Sequence, residues 1–138
     1  MKTLTGLFVL ITLGLTTAAN LIASEQDKEK GEPSVKAYYF HNTRRCVSCT
    51  NLEKNSKAVF EDLYRDEIEA GLVEYISLNL QEAEGAETAK RLGVNSIAFV
   101  ISSEDDVTNL TRPALMSSRT PDRFRELVKN TVDGYLQR

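Results

Sequence analysis

The stretch VKAYYFHNTRRCVSCTNLE, running from Val35 to Glu53, decides the fold. Its first seven residues, Val35 to His41, are β-branched and aromatic with few breakers, the composition of a strand. From Cys46 onward the polar and apolar residues change to helical spacing, so that Leu52, Val59, Phe60 and Leu63 can share one face. The pair Cys46 and Cys49 therefore stands where a strand hands over to a helix. Residues three apart on a helix have Cα atoms about 5 Å apart. A disulfide tolerates roughly 4.4–6.8 Å. Such a pair can open and close with little backbone movement. A helix start also favours a thiolate over a thiol, through its free N–H groups and its dipole. Arg44 and Arg45 precede Cys46 and push the same way if either side chain folds toward the sulfur.

Working outward, the first helix is predicted from Cys46 to Glu69, with Gly71 as its stop. Leu72 to Leu80 (LVEYISLNL) reads as a second strand. Gln81 to Leu92 reads as a second helix ended by Gly93. Ile97 to Ser102 and Val107 to Thr111 read as strands joined by a turn at Glu104, Asp105 and Asp106, a hairpin. Pro121 to Leu136 reads as a closing helix with Thr120 as N-cap and Phe124, Leu127, Val128 and Val132 as its apolar stripe. The expected order is β-α-β-α-β-β-α, an α/β chain with a mixed four-stranded sheet. The first crossover should be right-handed and parallel, and helices should cover both faces.

The chain has 138 residues, a formal net charge of −3, two Cys and one His. That is about one domain. Mild acidity argues against nucleic acid as the partner. Two Cys allow one internal bridge, so this is no disulfide-built miniprotein. The single His41 cannot build a multi-His metal cage. Neither a phosphate-binding glycine loop, a serine nucleophile motif nor a dinucleotide fingerprint is present, so no cofactor is called for.

The first residues carry their own signal. Lys2 precedes an uncharged apolar run, Leu7 to Leu15, followed by small residues at Thr17-Ala18-Ala19. This is the pattern of a secretory signal peptide over residues 1–19. The competing reading is an uncleaved membrane anchor reaching residue 23, since about 20 apolar residues span a bilayer. Residues 20–34, rich in charge with Gly31 and Pro33, read as a flexible lead-in. Residues 35–138 then form the domain. Export places the protein in the periplasm, where a disulfide can persist.

The order of elements and the C-x-x-C position resemble the thioredoxin fold over roughly Val35 to Leu136. Within it, Tyr38-Tyr39-Phe40-His41-Asn42-Thr43-Arg44-Arg45-Cys46-Val47-Ser48-Cys49 and the helix after it resemble a smaller bacterial group, the nitrophenyl compound nitroreductase subunit ArsF family, associated with organoarsenical reduction. The helix start itself assigns Cys46, whose sulfur should be the more exposed, as nucleophile and Cys49, one turn inward, as resolving thiol, and the resemblance implies the same thiol–disulfide exchange. It also implies a protein disulfide or dithiol partner, or a separate reductase subunit. Thioredoxin-like proteins carry a cis-proline before their third core strand. Here Ala98 stands in its place beside Ile97, and a trans bond is expected, because a cis bond before a non-proline costs about 2.5–4 kcal/mol. Phe40 stands where thioredoxins keep a buried acid. These departures favour a dedicated partner, contacted through Arg44, Arg45, His41, Ile97 and Ala98.

Two other readings of the cysteines stay open. With His41 they could hold As(III) or a thiophilic metal, although structural zinc usually takes four protein ligands and neither a second His nor a third Cys exists. They could also form a static disulfide in an interaction protein.

Overall fold

A computed structural model of the chain describes residues 31–104 and 106–137. The expected leader, residues 1–19 or 1–23, and most of the lead-in lie outside the described residues. Among the described residues the strands are β1 (Val35–His41), β2 (Val73–Asn79), β3 (Ala98–Ser103) and β4 (Val107–Asn109). The helices are α1 (Val47–Leu63), α2 (Arg65–Ala70), α3 (Ala83–Arg91), α4 (Thr111–Ser117) and α5 (Pro121–Leu136).

Alternation along β1 explains the layering. Successive strand residues point to opposite faces, and β1 has apolar side chains on both. Val35, Ala37 and Tyr39 join Leu52 and Phe60 of α1, Ala114 of α4 and Phe124, Val128 and Val132 of α5 in one core. Tyr38 and Phe40 join Leu78, Ala89 of α3, Ala98 and Val100 in a second core on the other face. A strand buried on both sides belongs inside a sheet. The order is accordingly β2-β1-β3-β4, with β1 parallel to β2 and antiparallel to β3, and β3 antiparallel to β4. The chain is thus α/β with a mixed four-stranded sheet and helices on both faces. Among the described residues no helix is long and apolar enough to cross a membrane.

Three local differences from the sequence reading have physical causes. The helix expected from Cys46 to Glu69 is two helices, broken at Tyr64, whose φ of −126° leaves the helical region. Tyr64 is buried in the core, and its hydroxyl donates to Asp133 Oδ1 of α5 at 2.8 Å. Its ring is held inward rather than along the helix surface. The strand expected to reach Thr111 stops at Asn109. Thr111 Oγ1 accepts from Phe99 N of β3 at 2.9 Å and donates to Asn109 Oδ1 at 2.6 Å, which turns the chain into α4. This helix was absent from the sequence reading. Its seven residues are too few to be stable alone, and it is held by Ala114, which is fully buried. Pro113 is tolerated there because first-turn N–H groups have no partner within the helix. Finally, Thr120 occupies the N-cap of α5 but its side chain makes no capping bond. Gly71 and Gly93 do adopt left-handed φ values of 76° and 69° at the ends of α2 and α3.

Gly85 shows how closely α3 sits on the sheet. A Cβ built there would lie 2.0 Å from the Asn79 carbonyl oxygen at the end of β2. At Gly134 in α5 it would meet nothing within 4 Å. Replacing a helical Gly by Ala ordinarily stabilises by about 0.5–1 kcal/mol. Gly134→Ala is expected to do so. Gly85→Ala should instead destabilise by about 1–3 kcal/mol, the usual cost of overpacking. Urea unfolding of the two variants checks the opposite signs.

Candidate functional site

The C-terminal ends of β1 and β2 and the start of β3 lie at one end of the sheet, as the parallel and antiparallel registers require. The loop Asn42 to Arg45 leaves β1 at that end and delivers Cys46 to the start of α1. Two bonds hold this loop, one from the last residue of β2 and one from Gln81 just beyond it. Thr43 N donates to Gln81 Oε1 at 3.0 Å, and Asn79 Nδ2 donates to Thr43 Oγ1 at 2.9 Å.

Cys46 is the N-cap of α1 rather than its first helical residue. It is joined to Cys49 by a disulfide, with Cα atoms 5.1 Å apart. Cys46 is exposed and Cys49 half-buried. Cys46 Sγ accepts from Cys49 N at 3.2 Å. Ser48 Oγ lies 3.2 Å from the same sulfur. A disulfide sulfur carries no hydrogen, so the Ser48 hydroxyl is the donor. Two donors and the positive end of α1 are therefore already aimed where a Cys46 thiolate would form on reduction. Val47 beside it is an exposed apolar residue, with 79% of its surface open.

Tyr39 anchors the other cysteine. Its ring is fully buried, and its hydroxyl donates to the Cys49 carbonyl oxygen at 2.7 Å. Burial pushes this hydroxyl up to about 12, with the negative charge of Glu53 adding to the rise and Arg45 opposing it. Tyr75 and Tyr64 are also raised, each chiefly by burial.

The arginines differ. Arg44 is exposed and makes no hydrogen bond or ion pair among the described residues. Arg45 uses both arms of its fork. Nη1 pairs with Glu53 Oε2, and Nη2 donates to His41 Nε2 at 2.7 Å. An arginine can only donate, so His41 Nε2 accepts and Nδ1 carries the hydrogen. Nδ1 then donates to the Asn42 carbonyl oxygen at 3.1 Å. His41 is buried and stacked on Tyr39. It does not join the cysteines in a ligand set. Among the described residues no cluster of three or more His, Cys, Asp or Glu is arranged to hold a metal ion.

Ile97 is half-buried and lines a cavity of about 600 Å³ at this end of the sheet, together with Asn42, Gln81, Asn95 and Ser96. Ala98 lies beneath it, buried, and pairs with Phe40 across the sheet. No cis peptide bond occurs among the described residues.

Glu53 is the residue that sequence reasoning missed. It takes Arg45 on one oxygen and Ser77 Oγ of β2 on the other at 2.5 Å. Its carbonyl oxygen accepts from Ser56 Oγ at 2.9 Å. The available signal was its place one turn after Cys49, where residues four apart on a helix are neighbours.

No protein-family model matches the chain, and no curated protein matches it. A solved structure titled "Structure of a malarial protein" is similar over 63% of this chain and 98% of its own, at 14% identity and a TM-score of 0.41. A likeness that slight carries no argument about fold or function.

Tyr39 gives a signed prediction. Its folded-state value lies above the ordinary 10, so the folded protein holds this proton more tightly than the unfolded chain. The stabilisation is complete below pH 10 and is lost as pH rises from 10 toward 12. Unfolding in urea across that range should show stability falling. Tyr39→Phe should lose part of the fall, and cost about 1 kcal/mol at neutral pH through the missing hydrogen bond.

Proposed function

We propose that this protein is an exported, thioredoxin-like thiol–disulfide oxidoreductase that exchanges electrons with a dedicated protein partner. One observation carries the reading. The exposed Cys46 sulfur caps α1 and receives the Cys49 N–H and the Ser48 hydroxyl. The same arrangement would stabilise a thiolate and therefore a nucleophile. The sheet order β2-β1-β3-β4 and the dithiol at the first strand-to-helix junction support the thioredoxin-like reading.

The chemistry balances without a cofactor. The Cys46 thiolate attacks one sulfur of a partner disulfide. That bond breaks, a Cys46–partner bond forms, and the departing partner sulfur takes up a proton. Cys49 then loses its proton and attacks Cys46 Sγ. The Cys46–Cys49 bond closes and the partner's second sulfur leaves. Two electrons have passed to the partner, and a second dithiol protein must restore them. Run in reverse, the same steps oxidise the partner.

The neighbouring cavity supports a selective partner. Asn42 and Cys46 are four positions apart in the chain, so their Cα atoms are at most about 14 Å apart. Asn42, Asn95 and Ser96 line the cavity without a side-chain hydrogen bond among the described residues, which leaves uncharged donors and acceptors for a visiting chain. The resemblance to the ArsF family would make that partner a reductase subunit acting on nitro or organoarsenical compounds, and the leader would place both in the periplasm.

Trapping tests the reading. Cys49→Ser, expressed with its leader in a bacterium that exports proteins, should accumulate a covalent complex through Cys46 that dithiothreitol dissolves. Cys46→Ser should trap nothing. A Cys49→Ser protein recovered with a free Cys46 and no adduct would remove the proposal.

A further inference from the structure

Arg45, just before Cys46, and Glu53, four residues after Cys49, form a charge pair. Glu53 is anchored from two sides, by Ser77 on β2 and by Arg45 on the loop. The side chains of Arg45 and Glu53 are 32% and 18% exposed, so this pair is partly shielded from water. The groups facing it are neutral. Tyr39 from β1 donates to the Cys49 carbonyl oxygen, and Tyr75 from β2 donates at 2.8 Å to the Ser56 hydroxyl, which donates to the Glu53 carbonyl oxygen. His41 accepts from Arg45. The cluster thus holds one cation and one anion, with Arg44 exposed outside it. Reduction adds a second anion, the thiolate of Cys46, which is the residue bonded directly to Arg45.

We propose that Glu53 is a positioning residue that sets the acidity of Cys46 by competing with its thiolate for the guanidinium of Arg45. In the disulfide form Glu53 and His41 hold both arms of the fork. In the reduced form the same guanidinium can swing to the sulfur only by loosening those bonds. Glu53 therefore keeps Cys46 less acidic than the helix start and two arginines alone would make it. A less stabilised thiolate means a less stabilised reduced form, and so a less oxidising disulfide. This inference rests on the redox reading above for its biological use, but not for its measurement.

The experiment titrates thiolate absorbance in the reduced full chain and equilibrates each variant with glutathione. Glu53→Gln should lower the Cys46 pKa by about one unit, and shift the thiol–disulfide equilibrium about tenfold toward the reduced form. Arg45→Ala should move both in the opposite direction. The double variant Arg45→Ala/Glu53→Gln should titrate as Arg45→Ala alone, because Glu53 acts through Arg45. Arg45→Lys keeps the charge and loses the fork that spans Glu53 and His41. It should shift as Glu53→Gln does, and it serves as the test if Glu53→Gln does not fold. The inference is overturned if Glu53→Gln and Arg45→Ala shift the same way, if neither shifts, if the Glu53→Gln effect persists without Arg45, or if Arg45→Lys behaves as Arg45→Ala. Failure of the redox reading looks different: no partner is trapped by Cys49→Ser while these pKa shifts remain.

Discussion

A single hydrogen bond ties the centre of the sheet to the mouth of α1. Tyr39 is fully buried on the central strand, and its hydroxyl reaches the carbonyl oxygen of Cys49. Burial keeps that hydroxyl protonated well past neutral pH, so its hydrogen stays available to the carbonyl. Everything at the site is referenced to this point. The ring belongs to the core with Leu52, Phe60 and Phe99, which locks the depth at which α1 starts. The depth in turn leaves Cys49 half-buried and Cys46 in the open. Two cysteines three residues apart become chemically unequal because one strand residue sets where their helix begins.

Around that anchor the site separates into two parts. The immediate surroundings of Cys46 are local: a backbone N–H and a hydroxyl within the next three residues. The electrostatic surroundings are not local. Arg45, the nearest cation in sequence, is drawn off by a carboxylate on α1 and an imidazole on β1, and the carboxylate is fixed by a hydroxyl on β2. Local donors favour the thiolate, and the longer-range network restrains how far.

Much of the fold was legible in residue patterns. The strand β1 was readable from its β-branched and aromatic residues, and its observed limits are those of that run. Gly71 and Gly93 were readable as stops because few other residues adopt positive φ cheaply. The break at Tyr64 and the helix α4 were not readable. Both depend on contacts distant in the chain, Tyr64 with Asp133 and Thr111 with Phe99. No local propensity encodes either. The same divide runs through the site. The dithiol, its place at a helix start and the greater exposure of Cys46 were legible from spacing. The destination of Arg45 was not, since two flanking arginines look alike in sequence and only one finds partners.

By itself the sequence determined the strand-to-helix junction, the separation of two sulfurs that can join and part, and the alternation that buries β1 on both faces. These are consequences of residue spacing along a helix or a strand, and spacing is a property of the chain alone. Tertiary structure decided which charges meet. Glu53, Arg45, His41 and Ser77 come from four separate segments, and only the register of β1 against β2 and the seating of α1 bring them together. Coulombic attraction falls with distance in space and takes no account of distance along the chain, so this part of the site exists only once the sheet has formed.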